Sequence, residues 1–221
     1  MSFFVADVEG ELLLTTAGKV AVAVILAAVL IAAAAAAVKA GEKKKKMGTK
    51  QLVFCAMAIA LASVTSMVKI FSFPFGGSVT LFSMLFICLI GYVYGPAAGI
   101  LTGAAYGILQ FLLEPYILTP VQVLVDYPLA FGALGLAGVF GGAKSGLVKG
   151  YILGICGRYV FAVISGWIFF GEYAWEGWGA LPYSMAYNAC YIFAEGAVTV
   201  LILLIPAVSK ALGEVKVMAN N

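Results

Sequence analysis

Long apolar stretches, separated by short breaks that contain glycine, proline or charged residues, form the main pattern of the chain. A helix needs roughly 20 apolar residues to cross the hydrocarbon core of a bilayer, and most of the stretches approach that length. Because glycine and proline mark the breaks, we take them as helix boundaries. The pattern predicts one helix at 18–39 and six more at 52–71, 80–92, 97–113, 120–140, 151–170 and 182–205.

Composition supports this interpretation. Of the 221 residues, 64% are hydrophobic and 10% are charged, whereas a soluble domain has about a quarter charged residues. The sequence therefore predicts an all-α integral membrane protein, with little length left for a soluble enzyme module and no indication of nucleic-acid binding. The chain has no histidine, and its four cysteines form no CxxC pair. Neither a metal site nor a disulfide framework is indicated.

The distribution of charge predicts the topology. Acidic residues precede the first apolar run, and a lysine cluster at 43–46 follows it, which is the reverse of a secretory signal. Since lysines favour the cytoplasmic side, we expect the N-terminus outside and the C-terminus in the cytoplasm. Lys69, near an outer helix end, is expected to snorkel. We predict an extra helix and linker at 1–50 and a six-helix substrate-binding membrane domain at 51–221.

Apart from lysines near helix ends, three charged residues lie within the predicted spans, where an isolated charge is costly. From the helical rise, Asp126 lies roughly 9 Å below the outer end of its span, as does Asn188, while Arg158 and Glu195 lie near 18 to 20 Å. We expect Arg158 and Glu195 to form a structural ion pair, which leaves Asp126 to a cationic or donor-rich ligand. Alternatively, Arg158 reaches up to Asp126 and the pair is only structural.

Aromatic side chains surround the upper of these two layers. Aromatic faces attract cations and stack on planar rings, so the layer is typical of a site for a flat cationic molecule. Trp175 and Trp178 are equally typical of membrane-interface anchors. The other members of the layer are Tyr127, Trp167, Phe170, Tyr183 and Tyr187.

Small residues recur every four positions in two of the predicted helices. Such spacing lets helix backbones approach closely in lipid. The stripes are Gly99, Gly103 and Gly107 in one helix, and Ala56 and Ala60 in another. Either stripe indicates packing within the monomer or docking of a partner membrane protein.

Three segments carry a resemblance to a known family: SFPFGGSVTLFSMLFI at 72–87, PYILTPVQVLVDYPLAFGALGLAG at 115–138, and RYVFAVISGWIFFGEYAWEGWGALPYSMAYN at 158–188. They resemble the thiamin-specific S component of energy-coupling factor (ECF) transporters, and the resemblance covers 52–205. It implies a six-helix S-component bundle that binds thiamin from outside without catalytic residues or a cofactor. It also implies docking onto a transmembrane coupling protein and two ATPases. The predicted helix at 18–39 is additional to that bundle.

The resemblance also implies roles for single residues. Asp126 matches the family's site acid and Tyr127 its neighbour, while Ala56 and Ala60 match the motif that meets the coupling protein. Phe170 stands where some members have a ligand-stacking tryptophan. Further matches to family site positions are Tyr116, Gly166, Tyr183 and Asn188.

The sequence departs from the family pattern at three positions. Ala162 replaces a site histidine, Gly77 replaces a loop tryptophan of some members, and Glu195 stands where a small neutral residue is expected. Trp167 or Phe161 is a candidate to fill the space left at Ala162.

Other functions remain open from the sequence. The nearest is an S component for another small heterocycle, such as riboflavin or a pyrimidine precursor of thiamin. An intramembrane enzyme that uses Asp126 as acid or base belongs to a different class, as does a helix bundle without a ligand. The acidic residues near the mouth argue against phosphorylated ligands.

Overall fold

The structure of the protein is a computed structural model that describes residues 5–8, 11–18, 20–21, 24–25, 28 and 48–221. Most of the helix predicted at 18–39 lies outside the described residues, although the described positions between 16 and 28 are helical. Before them, strands β1 (Val5–Val8) and β2 (Glu11–Leu14) pair antiparallel, with Val5 opposite Leu14.

The rest of the chain is mainly helical, as predicted. Five of its helices are long and apolar enough to cross a membrane, counted over the described residues, and a sixth apolar helix, α2, has 12 residues. The six helices predicted between residues 52 and 205 correspond to α1 to α6, whereas α7 was not predicted. The helices are α1 (Thr49–Met67), α2 (Ser83–Tyr94), α3 (Pro96–Leu113), α4 (Pro120–Phe140), α5 (Gly146–Phe169), α6 (Ala180–Leu203) and α7 (Pro206–Asn220).

A β-hairpin takes the place of the end predicted for the first core helix and the start predicted for the second. Strands β3 (Lys69–Ser72) and β4 (Ser78–Thr80) pair antiparallel, with Lys69 opposite Thr80. A 3-10 turn at Pro74–Gly76 joins them, and Gly76 has φ 96°, a conformation that glycine adopts without strain. We call residues 69–80 the outer hairpin.

Helix α4 is irregular along its length. Its first turns, Pro120–Leu124, are α-helical, Val125–Leu129 forms a π turn, and Leu134–Phe140 is a 3-10 helix. Pro128 lies inside the π turn. Because proline lacks an N–H and its ring clashes with the preceding turn, a widened turn accommodates it. The π turn carries Asp126 and Tyr127.

The glycine stripe of α3 packs against this irregular helix. A Cβ on Gly103 would lie 2.3 Å from the carbonyl oxygen of Phe131, and one on Gly107 would lie 2.3 Å from that of Tyr127. Backbones approach so closely only where side chains are absent. The glycine stripe therefore serves packing within the monomer.

The main hydrophobic core contains residues from all six helices α1 to α6, and its largest fully buried members include Tyr106, Tyr151, Met84, Ile87 and Leu134. Helix α7 closes one end of the bundle. There the Lys216 ammonium donates to the carbonyl of Gly141, and the Tyr94 hydroxyl donates to that of Ala219. The outer hairpin lies at the opposite end, so the bundle has one closed and one open end.

Replacing Gly107 by alanine is expected to destabilise the protein by about 1–3 kcal/mol, the usual cost of overpacking. The new methyl group would meet backbone at Tyr127, which cannot move without shifting the π turn. Thermal unfolding in detergent measures the effect. Gly213→Ala on α7 is the matched control, because its Cβ would meet nothing within 4 Å. Equal unfolding temperatures for the two variants would contradict the packing role.

Candidate functional site

A cavity of about 180 Å³ opens at the end of the bundle that carries the outer hairpin. Side chains from α3, α4, α5 and α6 form its wall, and the outer hairpin covers it. Residues that the sequence predicted to contact a ligand line this cavity together: Tyr116, Asp126, Tyr127, Gly166, Phe170, Tyr183 and Asn188.

Trp167 does not line the cavity, contrary to prediction. Its side chain is 47% exposed on the outside of α5. Neighbouring residues on a helix point about 100° apart, so the position after the cavity-lining Gly166 faces away. Phe161, the other candidate for the space at Ala162, is buried in a small cluster with Val125 and Ala133 and does not line the cavity either.

Asp126 presents a carboxylate to the cavity from the π turn. The side-chain amide of Gln122, one turn earlier, donates to Asp126 Oδ2 at 2.5 Å. The Gln122 side chain is held in place because its Oε1 accepts from the backbone N–H of Leu118. The backbone N–H of Gln122 donates to the Thr119 side chain at Oγ1. No cation forms an ion pair with Asp126 in the part of the chain that the structure describes. The carboxylate is therefore oriented by a neutral donor and has no ion-pair partner among the described residues.

Asn188 lies 5% exposed in the opposite wall. Its Nδ2 donates to the carbonyls of Ala162 (3.3 Å) and Ser184 (2.8 Å), and its Oδ1 accepts from Tyr191 at 2.6 Å. A Cβ on Gly166 would lie 2.2 Å from Ser184 Oγ. Gly166 thus lets α5 and α6 approach, and that approach holds Asn188 rigidly.

Aromatic rings form much of the remaining wall. Tyr116 and Phe170 stack with centroids 5.6 Å apart and an interplanar angle of 25°. Tyr183 and Tyr187 lie 5.9 Å apart at 30° on α6. Partial burial raises the pKa of Tyr116, and its contact with Tyr173 acts in the same direction. The aromatic parts of the wall are therefore flat, neutral and rich in π-faces.

The rim is fixed by polar contacts between loops. Lys69 of the outer hairpin forms an ion pair with Glu114, with N–O distances of 2.6 and 2.7 Å, rather than only snorkelling as expected. The Tyr127 hydroxyl donates to the Glu114 carbonyl and accepts from Tyr116 N, so it ties the α3–α4 loop to the site. Trp175 and Trp178 stay outside the cavity and are 64% and 46% exposed.

The predicted ion pair between Arg158 and Glu195 is not formed. Glu195 is 3% exposed, and its carboxylate accepts from Thr80 N, Thr80 Oγ1, Met84 N and, more distantly, Ser83 Oγ. The outer hairpin and the start of α2 supply the donors that the prediction assigned to Arg158. The sequence pattern gave no sign that these backbone groups would reach α6.

Arg158 instead lines the inner part of the cavity. Its guanidinium carbon lies 4.3 Å from the centroid of the Phe131 ring, a cation–π contact. It forms no ion pair with Asp126 among the described residues, so the structural alternative is not observed either. Ala162, one turn nearer the mouth on the same helix, also lines the cavity.

Several cavity residues were missed in the sequence analysis, among them Gln122 and Tyr191, which lie four residues from predicted ones. Gln122 and Asp126 are four residues apart on one helix face, and Tyr183, Tyr187 and Tyr191 repeat every four residues. That spacing was a readable signal for one wall. The contacts of the hairpin residues cannot be read from such spacing, because pairing across a tight turn decides where they lie.

The alanines predicted to meet a partner lie on the outside of α1. Ala56 and Ala60 are exposed, while Ala58 and Ala62 are buried against the bundle. The exposed face also carries large apolar side chains, including Val53, Met57, Leu61 and Val64. The small-residue stripe is thus exposed on the bundle surface and open to a neighbouring helix.

Comparisons with known proteins agree with this architecture. A sequence model of the family described as thiamine transporter protein (Thia_YuaJ) matches residues 52–213. The thiamine transporter ThiT of Bacillus subtilis (strain 168) is 33% identical over 165 residues, which cover 68% of this chain and 84% of that protein. ThiT of Lacticaseibacillus paracasei is 29% identical over 118 residues, covering 46% of this chain and 59% of that protein.

A solved structure of ThiT from Listeria monocytogenes has the same fold. It superposes with a TM-score of 0.61 at 26% identity and covers 71% of this chain and 94% of that one. The match, together with the apolar helices, identifies a multi-pass membrane protein of a prokaryote. Because the family model spans α1 to α6 and the cavity between them, the chain belongs to the thiamine transporter protein family.

Proposed function

We propose that the protein binds thiamin from outside the cell in this cavity, as the S component of an ECF-type uptake transporter. The observation that carries the proposal is Asp126, a carboxylate that forms no ion pair with a described residue and lines an aromatic-walled cavity inside an apolar bundle. Such a charge favours a cationic ligand.

Thiamin has the chemistry that this cavity complements. Its thiazolium ring is a permanent cation, which suits Asp126 and the aromatic faces. Its aminopyrimidine ring is flat and carries both a donor and acceptors, which suits the stacked pair Tyr116–Phe170 and the guanidinium of Arg158. A net neutral, aromatic ligand such as riboflavin would leave Asp126 without a partner.

The transport role divides between this chain and its partners. We propose that this chain has no catalytic activity and that two ATPase subunits, joined through a transmembrane coupling protein, supply the energy. The exposed Ala56 and Ala60 face of α1 supports docking of the coupling protein, since small residues allow close helix contact.

We further propose that the cavity opens outside and that the C-terminus lies in the cytoplasm, with the N-terminus outside. In support, Lys50, Lys144 and α7 lie at the closed end of the bundle, opposite the cavity mouth, in keeping with the bias of lysines toward the cytoplasmic side. A C-terminal GFP fusion should therefore fluoresce, whereas a C-terminal alkaline phosphatase fusion should be inactive. The opposite pair of results would reverse the topology.

Asp126→Asn is expected to weaken thiamin binding about 10- to 100-fold, the effect of losing one charge-assisted interaction. Titration followed by tryptophan fluorescence measures the affinity. A thiophene isostere of thiamin, which lacks the positive charge, sharpens the test: wild type should prefer thiamin, and Asp126→Asn should lose that preference.

Glu176→Gln is the matched control, because Glu176 is an exposed acid near the mouth that does not line the cavity. It should keep the preference for thiamin. Saturable binding of riboflavin in place of thiamin by wild type, or an unchanged preference in Asp126→Asn, would contradict the proposed ligand.

The double variant Ala56→Leu with Ala60→Leu is expected to abolish copurification with the coexpressed coupling protein and ATPases while leaving thiamin affinity unchanged. The leucines would keep the partner helix at a distance but lie far from the cavity. Ala105→Leu, at an exposed alanine of α3, is the control and should copurify normally. Retained copurification of the double variant would place the docking surface elsewhere.

A further inference from the structure

We infer that Glu195 acts as a positioning residue for ligand binding: its carboxylate fixes the base of the outer hairpin over the cavity. The inference rests on the proposed function only in naming thiamin as the ligand whose dissociation changes. The outer hairpin contributes Lys69, Phe75, Gly76, Gly77, Ser78 and Thr80 to the cavity lining. What holds the hairpin therefore controls how firmly the cavity is covered.

The hydrogen bonds around Glu195 require two acceptor oxygens. Oε2 accepts from Thr80 N at 3.1 Å and from Thr80 Oγ1 at 2.6 Å, while Oε1 accepts from Met84 N at 3.2 Å. The Ser83 hydroxyl lies 2.7 Å from Thr80 Oγ1 and 3.4 Å from Glu195 Oε1, so its one proton is better placed on Thr80. The carboxylate thus receives three firm donors, and two of them belong to the last residue of β4.

Helix α2 depends on the same carboxylate. Its N-cap residue, Phe82, has left-handed backbone angles (φ 61°, ψ 23°) and supplies no side-chain cap. A helix start leaves N–H groups without partners and favours a negative charge. Glu195, from a different helix, accepts the N–H of Met84 and so replaces the missing cap. The strained turn at Phe82 is what brings Thr80 N and Met84 N to one carboxylate.

A second contact binds the tip of the outer hairpin to the same helix. The Tyr187 hydroxyl accepts from Gly77 N at 3.0 Å and donates to the carbonyl of Pro74. Tyr187 and Glu195 are eight residues apart and lie on one face of α6. The hairpin is therefore held at its tip by a neutral hydroxyl, at the start of β3 by the Lys69–Glu114 ion pair, and at the end of β4 by a buried charge. Loss of the buried contact should let strand β4 leave the cavity wall.

Glu195→Gln keeps the size of the side chain but turns one acceptor oxygen into an amide donor that faces other donors. We expect thiamin to dissociate about tenfold faster, the change that corresponds to losing one charge-assisted hydrogen bond. Stopped-flow displacement of bound thiamin measures the rate. We also expect trypsin to cleave faster after Lys69, because cleavage of a paired strand requires local opening. Lys69 is the only lysine or arginine between Lys50 and Lys144, so a fragment beginning at Ile70 reports this event.

Thr199→Val is the matched control. It removes a buried hydrogen bond of 2.8 Å to the backbone carbonyl of Glu195, but it leaves the carboxylate and the hairpin untouched. A merely structural role predicts that both variants lower the melting temperature and change neither rate. Positioning predicts that only Glu195→Gln speeds both dissociation and cleavage. If the two variants agree in both rates, or if dissociation speeds up without faster cleavage at Lys69, the inference is wrong.

Thr80→Val keeps the test decisive if Glu195→Gln does not fold. It removes one of the three donors and leaves α6 intact, so cleavage at Lys69 should again accelerate, and no acceleration would overturn the inference. The cleavage measurement is made on ligand-free protein. Failure of wild type to bind thiamin would therefore refute the proposed function alone, while the proteolysis result would still decide the role of Glu195.

Discussion

The cost of a charge inside an apolar bundle governs this structure, and each buried ionisable group meets that cost differently. Glu195 is surrounded by donors from the outer hairpin and the start of α2. Arg158 lies over the Phe131 ring at the inner end of the cavity. Asp126 receives one amide donor from Gln122 and otherwise faces the cavity. The protein thus surrounds Glu195 with donors and places Arg158 against an aromatic ring, whereas Asp126 has a single amide donor and otherwise lines the cavity.

Close backbone packing makes the position of Asp126 possible. The π turn around Pro128 widens α4 where it carries Asp126 and Tyr127, and the glycines of α3 lie directly against it. A widened turn next to side chains of ordinary size would push the helices apart. The glycine stripe therefore links a packing rule of membrane helices to the orientation of the carboxylate that lines the cavity. Gly166 has the same effect on the opposite wall, where it allows Ser184 and Asn188 to approach α5.

Much of the fold and of the site was predictable, for identifiable reasons. Apolar runs bounded by glycine, proline and lysine marked the spans, and helical rise placed Asp126 and Asn188 at one depth, where both line the cavity. The prediction for Trp167 was wrong because it relied on the aromatic residue type and ignored the direction in which that side chain points from its helix. The predicted pairing of Arg158 with Glu195 was wrong because depth along two helices does not reveal that a third element supplies the donors to Glu195. That element, the outer hairpin, begins and ends in residues interpreted as helix ends and otherwise occupies the predicted loop between them.

The sequence alone determined that the chain resides in a membrane, where most of its apolar helices lie, and which rare polar residues within them require a partner. These properties depend on local composition and periodicity, which can be read from a short stretch of consecutive residues. Only the tertiary structure decided which groups satisfy those polar residues, because hydrogen bonds such as Thr80 to Glu195 join residues 115 positions apart. Their partners are fixed by how helices and hairpin pack, and the difference between a structural charge and a ligand-binding charge arises from that packing.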